Sequence, residues 1–226
     1  MPQLLISATN VEEAKIALPY ADIIDLKNPH QGALGALPLE TIKQVVAFVN
    51  QQKIVSATIG DLAMDTIHDV EKIFAAVQSM QTTQVDFIKI GFFESENYQA
   101  CLDKLAPLAK RGAKLIAVLF AEKKYPNNLI EKISEAGFVG VMLDTAEKNG
   151  RTLFDYCTPQ KNVAFIHQVQ SNGLKVGVAG SLNLSHLTAV KSLNPDYVGF
   201  RGGVCESQNR TSSLSKEKIL ELCKLL

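Results

Sequence analysis

The stretch ADIIDLKNP, residues 21–29, begins as a buried strand and ends on charge. Side chains along a strand alternate between two faces, so Ile23, Asp25 and Lys27 share one face while Ile24 and Leu26 occupy the other. One face stays apolar to the end; the opposite face turns into a carboxylate followed by an ammonium. Such a strand is covered on one side and opens onto a polar site on the other.

Seven further apolar runs of strand length have the same character: QLLISA (3–8), KIVSATIG (53–60), DFIKIG (86–91), KLIAVLFA (114–121), GVMLDTA (140–146), KVGVAGS (175–181) and YVGFRGG (197–203). Helical patterns lie between them. In LETIKQVVAFVNQQ the residues Ile42, Val45, Val46 and Val49 fall at i, i+3, i+4, i+7, and Ile219, Leu222, Cys223 and Leu226 repeat that stripe in KEKILELCKLL. Asn10 followed by Glu13 resembles a capping box, and Gly112, Gly137 and Gly173 stand where helices would end before strands. Eight strand–helix repeats, with strands apolar enough to be covered on both faces, predict an α/β (β/α)8 TIM barrel in preference to an open doubly wound sheet. Residues 1–226 are expected to form that barrel as a single catalytic domain, since 226 residues with 46% hydrophobic content suffice for one core.

Charge and composition narrow the partners. The 23 basic and 23 acidic side chains cancel, so no global field recruits nucleic acid or an anionic membrane, and a charged small molecule must be met by a local cluster. The opening MPQLLISATN lacks a basic segment and an apolar core of signal-peptide length, and no apolar run approaches a membrane span. A cytoplasmic enzyme without membrane or nucleic-acid partners is expected, with association of barrels through their outer helices into a homo-oligomer. Cys101, Cys157, Cys205 and Cys223 show no paired spacing, so thiols are expected rather than disulfides or a metal site, and no cofactor is called for.

A barrel of this kind carries its chemistry at the C-terminal ends of its strands. Asp25 and Lys27 stand there; Lys89 faces away from Ile88 and Ile90, Asp144 away from Leu143, and Lys148 follows in the next loop. Ser56 and Thr58 face inward by the same parity. One reading of the cluster is a compensated ion-pair network that fills the barrel. The other is catalytic: crowding by like charges and desolvation lower the pKa of a lysine and free its amine as a nucleophile toward a carbonyl, with neighbouring groups moving protons. After the last two strands, Gly180, Ser181, Arg201, Gly202 and Gly203 are placed to cradle a phosphate, although glycines there would also serve as tight turns. His30, His68, His167 and His186 are scattered, and only His30 follows a strand end.

DIIDLKNPHQGALGA, VSATIGD, DFIKIG, MLDTAEKNGRTLFD, VGVAGS and VGFRGG together resemble the (5-formylfuran-3-yl)methyl phosphate synthase family over essentially the whole chain. The resemblance implies a TIM-barrel lyase of methanofuran biosynthesis. Such an enzyme condenses two molecules of glyceraldehyde 3-phosphate into a phosphorylated furancarboxaldehyde with loss of phosphate and water. By motif, Lys27 would form a Schiff base, Lys89 would accept a proton, and Asp25, Asp144 and Lys148 would complete the site. Two other readings stand beside it. D-x-K at a strand end also occurs in orotidine-phosphate decarboxylase-like enzymes, but their D-x-K-x-x-D pattern has His30 here in place of the second carboxylate. A barrel that binds a sugar phosphate without transforming it would tolerate loss of Lys27.

Overall fold

The computed structural model describes residues 1–226, and each apolar run lies in a strand of one closed parallel barrel in the order β1 to β8. The strands are β1 (Gln3–Ala8), β2 (Ile23–Leu26), β3 (Ile54–Thr58), β4 (Phe87–Gly91), β5 (Leu115–Phe120), β6 (Gly140–Asp144), β7 (Lys175–Val178) and β8 (Tyr197–Phe200). The helices are α1 (Val11–Ala17), α2 (Leu39–Val49), α3 (Ile67–Gln81), α4 (Tyr98–Lys110), α5 (Leu129–Glu135), α6 (Leu153–Tyr156), α7 (Pro159–Ser171), α8 (Leu187–Leu193) and α9 (Lys216–Leu225). The expected one-to-one alternation breaks between β6 and β7, where Thr152 caps the short α6 and Thr158 then caps α7 with Pro159 in its first turn. No helix is long and apolar enough to cross a membrane.

Strand parity separates two cores. Outward side chains such as Ile24, Leu26, Ile88, Ile90 and Leu143 join the helix stripes in a cluster of 55 buried residues, including Ile42, Val45 and Val49 of α2. Inward side chains form a smaller cluster of 10, among them Leu5, Ile23, Ile116, Met142 and Tyr197. Gly112, Gly137 and Gly173 adopt positive φ between helix and strand, the conformation glycine reaches without strain. At α1 the expected capping box is half formed: Asn10 accepts from the Glu13 N–H at 2.9 Å, but the Glu13 carboxylate turns to the N–H and hydroxyl of Thr9. That carboxylate has a further partner, described below.

Strand register fixes height as well as facing. With the shear of about eight residues usual for this fold, the pairings stack Asp25, Lys89, Met142 and Gly199 in one layer and Lys27, Gly91, Asp144 and Arg201 in the layer above. Below them Tyr197 lies across the barrel on the bare backbone of Gly177, where a Cβ would sit 2.0 Å from the ring. Gly177→Ala is therefore expected to lose about 1–3 kcal/mol by overpacking. Urea unfolding would check this, and Tyr197→Leu in the same chain should recover most of the loss.

Candidate active site

The Asp25 carboxylate is fully buried and held from three other strands. Lys89 of β4 pairs with its Oδ1 at 2.6 Å, Ser56 of β3 donates to the same oxygen at 2.6 Å, and Ser7 of β1 donates to Oδ2 at 3.1 Å. Burial alone would raise its pKa, but the charges of Lys89 and Lys27 and the hydrogen bonds from Lys89 and Ser56 outweigh it and hold the carboxyl below its ordinary range. Lys89 is itself buried and lines a small cavity in the lower barrel with Ser56 and Tyr197. It does not reach the mouth as parity alone suggests; it stands one layer down, behind Asp25. The Thr58 hydroxyl faces the Gly35 carbonyl at 3.1 Å and the Leu26 carbonyl at 3.5 Å, which ties β3 to the end of β2 and the loop after it.

The mouth is a cavity of about 330 Å³, lined among others by Asp25, Lys27, Asp144, Lys148, Arg201 and Arg210. Its cations differ in what they already hold. The Lys148 ammonium is occupied by Asp144 at 3.2 Å, the Thr145 carbonyl at 2.6 Å and the Thr145 hydroxyl at 3.1 Å. Together Lys148, Lys27 and the Thr145 N–H overcome burial and hold Asp144 down at about 2. The Lys27 ammonium, although the residue is buried, makes no hydrogen bond or ion pair. Burial pushes its pKa down to about 8, with Lys89 and Lys148 adding to the fall and Asp144 and Asp25 opposing it. Roughly a tenth of such an amine is neutral at pH 7, against well under a thousandth for an ordinary lysine.

Arg201 is the residue the geometry moves out of its expected role. Its five N–H donors all have protein acceptors: Arg210 O, Ser7 O, Ser212 O and both oxygens of Glu13. A bidentate pair of this kind is a structural fastening, not an open phosphate ligand. Parity places Arg201 inward but gives no hint of Glu13, which approaches from α1 at the far end of the chain. The other members of the expected cradle are open. The N–H groups of Gly180, Ser181, Gly202 and Gly203 have no acceptor in the protein, and all four residues line the mouth. Gly180 and Ser181 both take positive φ, +107° and +52°, which for a serine is a strained conformation. His30 is exposed, so nothing charged completes a D-x-K-x-x-D arrangement around Lys27.

Sequence reasoning missed Arg210. It lies after β8 and the 3₁₀ turn Glu206–Gln208, in a tail with no motif to mark it. Asp61 ends VSATIGD, and its oxygens accept from the N–H groups of Ala33 and Leu34 at 2.8 and 2.6 Å and fix the loop after β2.

Closed barrel, catalytic-end cavity and unpartnered buried lysine define a TIM-barrel enzyme, and solved structures agree on the fold. The phosphoribosyl anthranilate isomerase of Thermus thermophilus superposes with a TM-score of 0.68 at 15% identity, over 99% of this chain and 97% of that one. The 3-hexulose-6-phosphate synthase of Salmonella typhimurium gives 0.68 at 15%, over 99% and 98%. Sequence goes further than fold. The family described as 4-HFC-P synthase matches residues 4–223, and the chain belongs to it. A Methylorubrum extorquens protein provisionally named (5-formylfuran-3-yl)methyl phosphate synthase is 38% identical over 97% of this chain and 89% of its own. The (5-formylfuran-3-yl)methyl phosphate synthase of Methanothermobacter thermautotrophicus is 32% identical over 99% and 98%.

Two outcomes follow from the electrostatics. Asp25→Ala leaves Lys89 buried without a counter-charge and should destabilise the fold by about 3–5 kcal/mol in denaturant titration, whereas Asp25→Ala with Lys89→Met should recover much of it. Reactivity of Lys27 should rise with pH through an apparent pKa of about 8. Because the Asp144 charge favours the ammonium, Asp144→Asn should move that limb to lower pH; a limb that moves upward would refute the assignment.

Proposed function

We propose that this chain condenses two molecules of glyceraldehyde 3-phosphate into (5-formylfuran-3-yl)methyl phosphate, acting as a carbon–oxygen lyase through a Schiff base on Lys27, in methanofuran biosynthesis. The observation that carries the reading is the buried Lys27 amine, without a partner and with its pKa lowered to about 8, in a chain of this family. The two trioses bring six carbons and two phosphates. The furan keeps one phosphate, and the balance leaves as one inorganic phosphate and two waters.

Each step has a group suited to it. The neutral Lys27 amine adds to the aldehyde of one triose and, with loss of water, becomes an iminium that acidifies the adjacent C–H. The Lys89–Asp25 pair supplies the base in this reading: Asp25 lines the cavity and takes the proton at its carboxylate, while the Lys89 ammonium behind it orients that carboxylate and can give up one of its own protons in exchange. Asp144 and Lys148, already bonded to one another, hold the charge balance beside Lys27 as it changes between ammonium, amine and iminium. The open N–H groups of Gly180, Ser181, Gly202 and Gly203 suit the phosphate that the product retains. Loss of the other phosphate leaves an activated carbon for the second aldehyde.

Borohydride reduction in the presence of glyceraldehyde 3-phosphate, followed by peptide mapping, tests the covalent step. A triose adduct on Lys27, together with a furaldehyde absorbance in the unreduced reaction, is expected. Lys27→Met should abolish both, whereas Lys89→Gln should still form the adduct and stop short of the furan. A folded protein that consumes the substrate without any lysine adduct would sink the Schiff-base reading.

A further inference from the structure

Arg210 differs from every other cation at the mouth. Arg201 and Lys148 have spent all their donors on protein acceptors, and Lys27 is uncharged in the state that reacts. Arg210 uses one donor: its Nη2 gives a hydrogen bond to the Gly32 carbonyl at 2.8 Å. The rest of its planar fork is free, and the half-buried side chain lines the cavity.

Its placement is built from both sides. Arg201 grips the Arg210 carbonyl through Nε at 2.8 Å and the Ser212 carbonyl through Nη2 at 2.9 Å, so the loop is anchored at Arg210 itself and again two residues on. Within the loop, Asn209 Oδ1 accepts from the Thr211 N–H at 3.1 Å, and Ser207 and Gln208 take left-handed turns. The stem of Arg210 passes beside Gly202, where a Cβ would lie 3.6 Å from that of Arg210. Across the mouth, Gly32 belongs to the loop that Asp61 fixes. A guanidinium is thus held between the loops after β8 and β2, next to N–H groups that have no acceptor.

We infer that Arg210 is the charged ligand of the substrate phosphate, completing the backbone cradle of Gly180, Ser181, Gly202 and Gly203, and that Arg201 is a positioning residue acting through the Arg210 loop. This rests on the reading of the substrate as a phosphorylated aldehyde. A phosphate monoester suits the site because its tetrahedral oxygens can take the free edge of the fork and the N–H groups together. Arg210 makes no hydrogen bond or ion pair with Lys27, Asp25 or Lys89, so phosphate binding and amine reactivity can be tested apart.

Arg210→Gln in the full chain provides the test. The KM for glyceraldehyde 3-phosphate should rise roughly 10- to 100-fold, with kcat changed far less, and Arg210→Lys should fall between the variant and the parent. Inorganic phosphate binding, followed by calorimetry without any reaction, should weaken in parallel. Borohydride trapping of unphosphorylated glyceraldehyde and its pH limb should be unaffected. Equal loss of trapping with both aldehydes would make Arg210 a structural residue and overturn the inference, as would unchanged phosphate affinity in Arg210→Gln. Phosphate binding that depends on Arg210, in a protein that forms no adduct with any aldehyde, would uphold the site and reject the Schiff-base reading alone. Arg201→Gln should lower thermal stability and phosphate affinity together while leaving glyceraldehyde trapping in place; intact phosphate affinity would remove its positioning role.

Discussion

A carboxylate taken wholly out of water must be compensated, and at Asp25 the compensation draws in side chains from β1, β3 and β4. This requirement organises the barrel interior. Lys89 is committed to Asp25 and is withheld from the mouth, Ser7 and Ser56 become spacers with a fixed direction, and the layer above is left to Lys27. Replacing the pair with apolar groups could yield an equally stable barrel, so the pair is explained by what it does to its neighbour. It sets a carboxylate and an ammonium within electrostatic range of Lys27, Asp25 favouring the Lys27 ammonium more than Lys89 disfavours it, so the fall in the Lys27 pKa is the work of burial.

The contrast between Lys27 and Lys148 shows how little residue type decides. Both are lysines at the mouth with Asp144 nearby, yet Lys148 fills its three donors and Lys27 fills none. An ammonium that is buried without any acceptor is pushed toward the amine. The same logic divides the arginines. Arg201 is saturated and serves the architecture, while Arg210 is nearly unsatisfied and faces the cavity.

Much of this was legible before any coordinates. Alternation along ADIIDLKNP and its seven counterparts gives the barrel, and parity correctly turns Asp25, Lys27, Lys89 and Asp144 inward. Parity does not give height. The stagger of the barrel sets Lys89 level with Asp25, although the ladder pairs it with Thr58 on the neighbouring strand, and that stagger is a property of the closed ring. Nor could local pattern reveal the fastening of Arg201, whose partner Glu13 reads as a helix cap and half behaves as one. Arg210 was invisible for a third reason: it sits in irregular chain, where no period constrains which way a side chain points.

The Arg201 fastening joins β8 to α1 and β1 across 188 and 194 residues of sequence. On a ribosome the amine appears early and its enclosure appears last. Until β8 closes the ring, Lys27 has water around it, and with water comes the ordinary ammonium of an exposed lysine, near pH 10.4 in its titration. The surroundings that push this amine down to about 8 therefore do not exist until the ring closes and shuts water out. Chain order thus separates the two in time: the lysine is encoded before residue 30, and the element that completes its enclosure lies about 170 residues further on.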